Sequence, residues 1–418
     1  VAPSRRSSSH LRETSVSETG RPAWADLELF RLMSLESIEN LRDAMEPVYF
    51  SAGEVILRQG DPGDAMYLLD QGTVRVTVRT GLRDTMFEKN LDAPALFGEM
   101  ALVTHVPRTA TVTAEGPVRC LRVLAADFRG LMRKYPQVGA FLTQAVGERL
   151  LEAATIQSVG KYRVVGRLGA GAVATVFEAV HPTLDRPVAL KMLSHAMVSH
   201  PRFAEQFQQE AKIVAQLDHP HIVKVLDTES AYGTHFIVME KLSGSTLDDI
   251  IQADTQLAWG AIRRILREIA SALQFSHDHG LLHQDIKPSN VFLTDQDRRV
   301  KLLDFGIAAA AGSANVSGHL LGTPYYMSPE QILGRTMDGR SDLYSLGILA
   351  YELVTHAVPF DADTIDALLA KHVAEELADP RLLVPDVPDD LVEFILKATA
   401  KRPEDRYTTC AEAERFLK

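Results

Sequence analysis

His283-Gln284-Asp285-Ile286-Lys287-Pro288-Ser289-Asn290 is the stretch on which the reading of this chain turns. An apolar helical run precedes it, and a strand-like run, Val291-Phe292-Leu293, follows. An acid, a cation and an amide therefore share one short loop on a rigid scaffold. That set suits phosphoryl transfer. A carboxylate holds the acceptor hydroxyl, a cation meets the moving phosphoryl group, and an amide oxygen holds a metal.

The chain around that loop has 418 residues, enough for two or three domains with cores of their own. Its apolar share of 46% and charged share of 24% are those of an ordinary globular protein. The net charge of −11, from 44 Lys+Arg against 55 Asp+Glu, argues against broad nucleic-acid binding, which wants a basic face. The two cysteines, Cys120 and Cys410, offer neither a disulfide framework nor a zinc cluster. No apolar run reaches the roughly 18 residues that a membrane helix needs. Arg5 and Arg6 are not followed by the apolar core of a signal peptide. A cytoplasmic protein without a membrane partner is the expectation.

Residues 1–23 are rich in Ser, Arg and Glu and read as a mobile arm. Residues 27–45 carry helical spacing. The period then changes to short strand signals: Val55-Ile56-Leu57, Met66-Tyr67-Leu68-Leu69, Val74-Arg75-Val76-Thr77-Val78, Thr109-Ala110-Thr111-Val112-Thr113 and Val118-Arg119-Cys120-Leu121-Arg122-Val123. Glycine-rich turns punctuate them, and the spacing suggests a small antiparallel barrel. Helical periodicity returns over 127–157. A second domain starts almost at once, with strands first and then mostly helices.

Phe97-Gly98-Glu99-Met100-Ala101-Leu102-Val103-Thr104-His105-Val106-Pro107-Arg108-Thr109-Ala110-Thr111 has the chemistry of a phosphate pocket. Gly98 permits close backbone approach, and the next four residues can form a helical turn whose N–H groups face an anion. Arg108 offers a planar fork matched to phosphate. Glu99 can accept from a sugar hydroxyl. A ligand with one phosphate and one ribose fits this set.

Residues 24–157 thus resemble a cyclic-nucleotide-binding domain, with 97–110 as its phosphate-binding cassette. The resemblance implies that Glu99 holds the ribose 2′-hydroxyl and Arg108 the cyclic phosphate. Met100 and Ala101 would supply backbone N–H groups, with Gly98, Thr109 and Ala110 in the same cassette. A threonine after the arginine often accompanies cGMP preference in such domains, so cGMP is expected over cAMP. Animal cyclic-nucleotide-regulated kinase systems usually carry two such domains in tandem, whereas here there is one. The plainer reading is a barrel that binds nothing, with Arg108 and Glu99 paired to each other.

Separated signals converge downstream. Leu168-Gly169-Ala170-Gly171-Ala172-Val173-Ala174-Thr175-Val176 can fold over nucleotide phosphates, although Ala174 stands where the third glycine of the pattern falls. Val188-Ala189-Leu190-Lys191 is a strand ending in lysine. Glu210 lies on a helix read over 203–217. Asp285, Lys287 and Asn290 come next, and then Asp304-Phe305-Gly306. The order and spacing resemble the eukaryotic-type protein kinase fold over 160–418, with a small lobe to about 242 and a large lobe from about 243. The loop reads H-Q-D-x-K-x-x-N where that family has H-R-D-x-x-x-x-N. The domain order resembles that of a cGMP-dependent protein kinase.

That resemblance assigns roles. Lys191 would hold the ATP α- and β-phosphates and pair with Glu210. Asp285 would orient and deprotonate the acceptor hydroxyl. Lys287 would stabilise the transferring phosphoryl group, which marks Ser/Thr rather than Tyr specificity. Asn290 and Asp304 would hold Mg2+, with Mn2+ as a substitute. Leu168, Gly169 and Gly171 belong to the phosphate loop. Val176, Ala189 and Phe292 would sandwich adenine, Glu240 and Leu242 would bond it through the backbone, and Met239 would stand behind as gatekeeper. Residues 304–330 would be the activation segment, with Thr323 near the substrate hydroxyl and Ser328-Pro329-Glu330 as its anchor. Glu330 and Arg406 would pair, and Asp342 would brace the catalytic loop.

Two features bear on control. Gln284 replaces the arginine that receives an activation-loop phosphate in many kinases, and a neutral amide cannot make that charged fork. Ser313, Ser317 and Thr323 are candidate phosphosites, but the usual clamp is not expected. Arg5-Arg6-Ser7-Ser8 resembles an R-R-x-S substrate, so Ser8 is a candidate phosphosite or pseudosubstrate. The plainer reading is a charged arm, because Thr246 and Ser289 stand where glutamates would read the arginines. The expected whole is a multidomain α+β chain: a jelly-roll-like antiparallel barrel with flanking helices, then a bilobal kinase acting on protein substrates. Ser158-Val159-Gly160 is the expected hinge through which ligand capping reaches the kinase. A homodimer is an open arrangement. A catalytically silent scaffold, and a constitutive kinase whose barrel serves docking or dimerisation, are the alternatives.

Overall fold

The computed structural model describes residues 45–80, 85–99, 107–125, 158–170, 174–198, 214–305 and 324–417, with isolated positions at 22–43 and 127–151. The chain divides into two compact units, 1–201 with 228–237 and 202–227 with 238–418.

The first unit opens with eight strands: β1 (Glu46–Phe50), β2 (Val55–Leu57), β3 (Ala65–Gln71), β4 (Thr73–Thr80), β5 (Thr85–Asp92), β6 (Ala95–Phe97), β7 (Thr111–Ala114) and β8 (Val118–Leu124). They form two four-stranded sheets, ordered β1-β8-β3-β6 and β2-β7-β4-β5. Every pairing in them is antiparallel. One face of each strand supplies the core, in which Leu57, Tyr67, Leu69, Val74, Phe97, Val112 and Cys120 pack together. Tyr67 and Phe97 stack at 5.4 Å between ring centroids. β5 escapes a periodicity search because Thr-Met-Phe-Glu-Lys-Asn-Leu-Asp does not alternate cleanly. Its place is set by pairing along the whole of β4, from Thr73↔Asp92 to Thr80↔Thr85.

A six-stranded sheet follows: β9 (Ser158–Val159), β10 (Tyr162–Ala170), β11 (Ala174–His181), β12 (Arg186–Leu193), β13 (Val225–Ala231) and β14 (Thr234–Glu240). Its order is β13-β14-β12-β11-β10-β9. The expected hinge is therefore itself a strand and turn. Ser158 and Val159 pair with Arg163 and Tyr162. The Tyr232 hydroxyl donates to the Ser158 carbonyl. Gly160 sits at φ +55°, and a Cβ there would lie 2.4 Å from the Glu229 carboxyl carbon.

In the second unit β15 (Gly244–Thr246), β16 (Val291–Thr294) and β17 (Val300–Leu302) make a small antiparallel sheet. Helix α2 (Gly339–Thr355) is buried on nearly every side, from Ser341 to Val354, as expected for a mostly apolar helix at the centre of a core. Around it lie α1 (Trp259–Asp278) and α3 (Asp389–Ala398), which bury single apolar stripes, Ile262-Ile265-Leu266-Ile269 and Leu391-Val392-Phe394-Ile395. Among the described residues no helix is long and apolar enough to cross a membrane.

The expected Glu330–Arg406 pair is present and buried. Arg406 Nη1 and Nη2 donate to Glu330 Oε1 and Oε2 at 2.8 and 2.9 Å, and Ser341 Oγ adds a bond of 2.6 Å. Burial alone would raise the Glu330 pKa, but the bonds from Arg406 and Ser341 outweigh it and hold the carboxyl below its ordinary range. The stabilisation is therefore present above the unfolded carboxyl pKa and lost as pH falls through the lower folded value. Arg406→Ala strands a buried carboxylate and should cost about 3–5 kcal/mol, read as a lower denaturant midpoint for the large lobe. An unchanged midpoint would show that the pair is dispensable.

Candidate active site and nucleotide pocket

The loop between α1 and β16 is built from below by Asp342 on α2. Its Oδ2 accepts from the His283 N–H at 2.9 Å and its Oδ1 from the Gln284 N–H at 2.7 Å, while His277 Nε2 lies 2.7 Å from Oδ2. Burial raises the pKa of this carboxyl, but the His277 bond and the backbone donors outweigh it and hold it below the usual range. Asp342 is thus a fixed anion that orders two consecutive peptide units. Gln284 takes φ +64°, a strained conformation for a side-chain-bearing residue, and that fixes the direction in which the next residue leaves.

The next residue is Asp285. Its Oδ2 receives Lys287 Nζ at 2.8 Å and Asn290 Nδ2 at 2.9 Å, and Asn290 Nδ2 also reaches the Asp285 carbonyl at 2.8 Å. The three polar residues of the opening stretch thus form one hydrogen-bonded group. A small hollow beside it is lined by Tyr326, Met327, Gln331 and Ser345.

The β16–β17 hairpin brings the last acid to this group. Val291 pairs with Leu302, and the Leu303 N–H donates to the Asn290 carbonyl at 2.8 Å. Asp304, the following residue, holds φ +61°. His283 Nε2 lies 2.8 Å from the Leu303 carbonyl, and its ring packs on Phe305 at 4.7 Å. Burial lowers the His283 pKa, so the ring is neutral and donates from Nε2. The residue fit for a divalent metal rests on donor type. Asn290 turns its amide nitrogen toward Asp285, and its amide oxygen is, like the Asp304 carboxylate, a hard donor of the kind a divalent cation takes. Among the described residues there is no group of three or more His, Cys, Asp or Glu able to hold a metal alone. A divalent metal held by so few protein oxygens would take its remaining ligands from substrate phosphates and water.

On the small-lobe sheet, β10 and β11 run into the glycine loop, with Gly169↔Val176 and Ala170↔Thr175 in register. Val176 also pairs with Lys191, and Glu178 with Ala189. Leu168, Gly169, Val176, Ala189 and Lys191 therefore share one antiparallel patch. Met239 and Glu240 end β14, and Leu242 follows. Glu240 is tied by its side chain to the Lys224 N–H at 2.9 Å and to Lys301 Nζ at 2.8 Å. Phe292 on β16 is paired with Thr246 and Lys301. Gly171, Glu210, Ser313, Ser317, Thr323 and Ser8 lie outside the described residues.

In the barrel, Arg108 is 5% exposed. Its Nη1 donates to the Gly98 carbonyl and its Nη2 to the Ala65 carbonyl, both at 2.7 Å, with Asp64 Oδ1 3.4 Å from Nη2. Burial lowers the guanidinium pKa, and the charges of Asp64, Tyr67 and Glu99 oppose this. Gly98 is required where it stands: φ is +81°, and a Cβ would lie 3.0 Å from both Arg108 Nη1 and Leu57 Cδ1. Glu99 is buried at the foot of the cassette, while Thr109 and Ala110 are half-buried. The plainer pairing of Arg108 with Glu99 is not what the arginine's hydrogen bonds make; they go to backbone carbonyls and Asp64. Met100 and Ala101 lie outside the described residues. Sequence reading missed Ala65 and Asp64, whose only signal is their place in a turn that the cassette must fold back to meet.

A two-sheet barrel with a buried arginine thus precedes a six-stranded sheet and a helical unit that carries Asp285, Lys287, Asn290 and Asp304. The protein kinase domain model matches residues 162–416, more than half of the chain, and the cyclic nucleotide-binding domain model matches 47–135. The chain belongs to the protein kinase family and carries a cyclic nucleotide-binding domain. Serine/threonine-protein kinase Pkn1 of Myxococcus xanthus is 38% identical over 258 residues, covering 60% of this chain and 37% of that protein. Serine/threonine-protein kinase PknB of Mycolicibacterium smegmatis is 39% identical over 260 residues, covering 60% and 41%. The chain thus spans about two-fifths of the length of these relatives. The crystal structure of the Mycobacterium tuberculosis PknI kinase domain aligns with 32% identity and a TM-score of 0.53, covering 62% of this chain and 96% of that one.

Proposed function

We propose that this chain is an ATP- and magnesium-dependent serine/threonine protein kinase controlled by a cyclic nucleotide bound in residues 24–157, with cGMP preferred to cAMP. The observation that carries the catalytic half is the Asp285–Lys287–Asn290 group held on Asp342. Asp285 orients the acceptor hydroxyl and takes its proton. Lys287, now on the Asp285 carboxylate, is within reach of the charge that develops on the transferring group. Asn290 and Asp304 would hold the metal, which would supply neutralisation of phosphate charge. Naming of the relatives as serine/threonine kinases supports the acceptor class.

The regulatory half rests on Arg108 and Gly98. The guanine preference rests on Thr109, which follows Arg108 directly. Gln284 supplies no guanidinium for an activation-loop phosphate, so control enters from the barrel. Carrying the enzyme from about 1% to 99% active requires the ligand to favour the active state by ~10⁴-fold, about 5.5 kcal/mol, and partial activation needs less. The test is phosphotransfer to a generic basic protein with and without each nucleotide. Transfer to Ser and Thr that rises at lower cGMP than cAMP is the expected result. Equal rates under all conditions would remove the regulatory half, and absence of transfer would remove the catalytic half.

A further inference from the structure

The helical positions at 143–151 touch the small-lobe sheet at two points. Thr143, Val146 and Leu150 are buried at spacings that share one helix face. Thr143 Oγ1 accepts from the His195 N–H at 2.9 Å and lies 3.0 Å from His195 Nδ1. On the far side of the ring, His195 Nε2 lies 2.8 Å from the Tyr232 carbonyl. A carbonyl only accepts, so Nε2 carries a proton. Burial pushes the imidazole pKa down to about 4, so the ring is neutral and Nδ1 is bare. The Thr143 hydroxyl must therefore donate to Nδ1 while it accepts from the backbone of the same residue. His195 is thus held in one tautomer between Thr143 and the Tyr232 carbonyl.

Tyr232 extends this connection. It occupies the β13–β14 turn with φ +53°, followed by Gly233 at φ +67°, the positive pair that a tight hairpin turn demands. Its carbonyl holds His195, and its hydroxyl holds Ser158 at the start of β9. One helical turn beyond Thr143, Gly147 lies against the sheet. A Cβ there would be 3.3 Å from Phe177 Cζ and 3.6 Å from Met192 Cε. Met192 follows Lys191 on β12, and strand alternation puts the two side chains on opposite faces. The helix thus lies behind the strand that carries Lys191, and His195 lies just past that strand's end.

We propose that the Thr143–His195–Tyr232 latch, with Gly147 against Phe177 and Met192, is the coupling element by which residues 143–151 report the state of the barrel to the Lys191 strand. It rests on the reading that a cyclic nucleotide controls the kinase. Packing alone would not need a hydroxyl that both donates and accepts, since valine has the same shape. A helix fixed at two points moves the strand with it, and the Tyr232 hydroxyl fastens β9 to the same turn.

The test uses the full chain as wild type, Thr143→Val, Thr143→Ser and Gly147→Val. Binding of a fluorescent cGMP analogue and phosphotransfer with and without cGMP are measured on each. The wild-type rate should change by about 5–150-fold on ligand binding, the usual span of coupling between sites. Thr143→Val should still bind the analogue saturably while its rate ratio falls toward one, and Thr143→Ser should restore the response. Gly147→Val, which pries the helix from Phe177 and Met192 without touching the ring, should also lose the response, and it decides the matter if Thr143→Val does not fold. Wild-type response in both valine variants, or a Thr143→Ser chain as silent as Thr143→Val, overturns the latch alone. A wild-type chain that binds the analogue with no change in rate overturns nucleotide control, and the latch with it.

Discussion

Asp285→Asn lowers phosphotransfer by about 10³-fold or more while leaving the fold and the binding of ATP–magnesium in place. The size of the effect follows from what the carboxylate does in its group. Asp285 Oδ2 receives Lys287 Nζ at 2.8 Å and Asn290 Nδ2 at 2.9 Å. An asparagine amide has the same shape but carries no charge and cannot take the acceptor proton. A positioned general base is worth about 10²–10⁴-fold by itself. The amide also stops balancing Lys287, which is free to leave its place, and the loss of that cation deepens the effect. The backbone course is set by Asp342 and the φ of Gln284, neither of which the substitution touches. Single-turnover transfer measured beside ATP–magnesium titration checks both halves. A variant that transfers at the wild-type rate would falsify the assignment of Asp285. A wild-type chain that binds ATP–magnesium without transferring would mark a scaffold instead.

The legibility of this site in the sequence has a physical basis. Asp285, Lys287 and Asn290 lie within six residues of chain, and Asp304 is one hairpin further on. Their geometry is fixed by local backbone and one register, so spacing alone conveys it. Asp342 and the Glu330–Arg406 pair are distant in sequence, and they were legible only because a family pattern links them to the loop. Where no pattern helped, the sequence was mute. Thr143 and His195 are 52 residues apart, and neither residue type nor spacing marks them as partners. Ser158-Val159-Gly160 looked like a hinge because the run is short and ends in glycine. Edge pairing to β10 and the Tyr232 hydroxyl make it a strand, and both are tertiary facts. β5 was hidden for the same reason, since its pairing with β4 overrides a weak local pattern.

Arg108→Ala should weaken cyclic-nucleotide binding by about two to four orders of magnitude. Each hydrogen bond to a charged partner is worth about 1.5–3 kcal/mol, a fork supplies two, and about 1.4 kcal/mol is tenfold in affinity. The structure adds a second consequence. The same guanidinium donates to the Gly98 and Ala65 carbonyls at 2.7 Å, so the alanine variant also leaves buried acceptors without a donor. Loss of binding could then follow from a loosened barrel. Arg108→Lys separates the two, because lysine keeps the charge but cannot make the planar fork. If Arg108 reads the phosphate, Arg108→Lys should retain much of the barrel's stability yet lose most of the affinity, and basal phosphotransfer should persist in both variants. The signature of a merely structural arginine is different: affinity would track the melting temperature across wild type, lysine and alanine. Isothermal titration with cGMP, paired with thermal unfolding of the full chain, distinguishes these outcomes. Binding by Arg108→Ala at wild-type affinity would place the nucleotide elsewhere on the barrel.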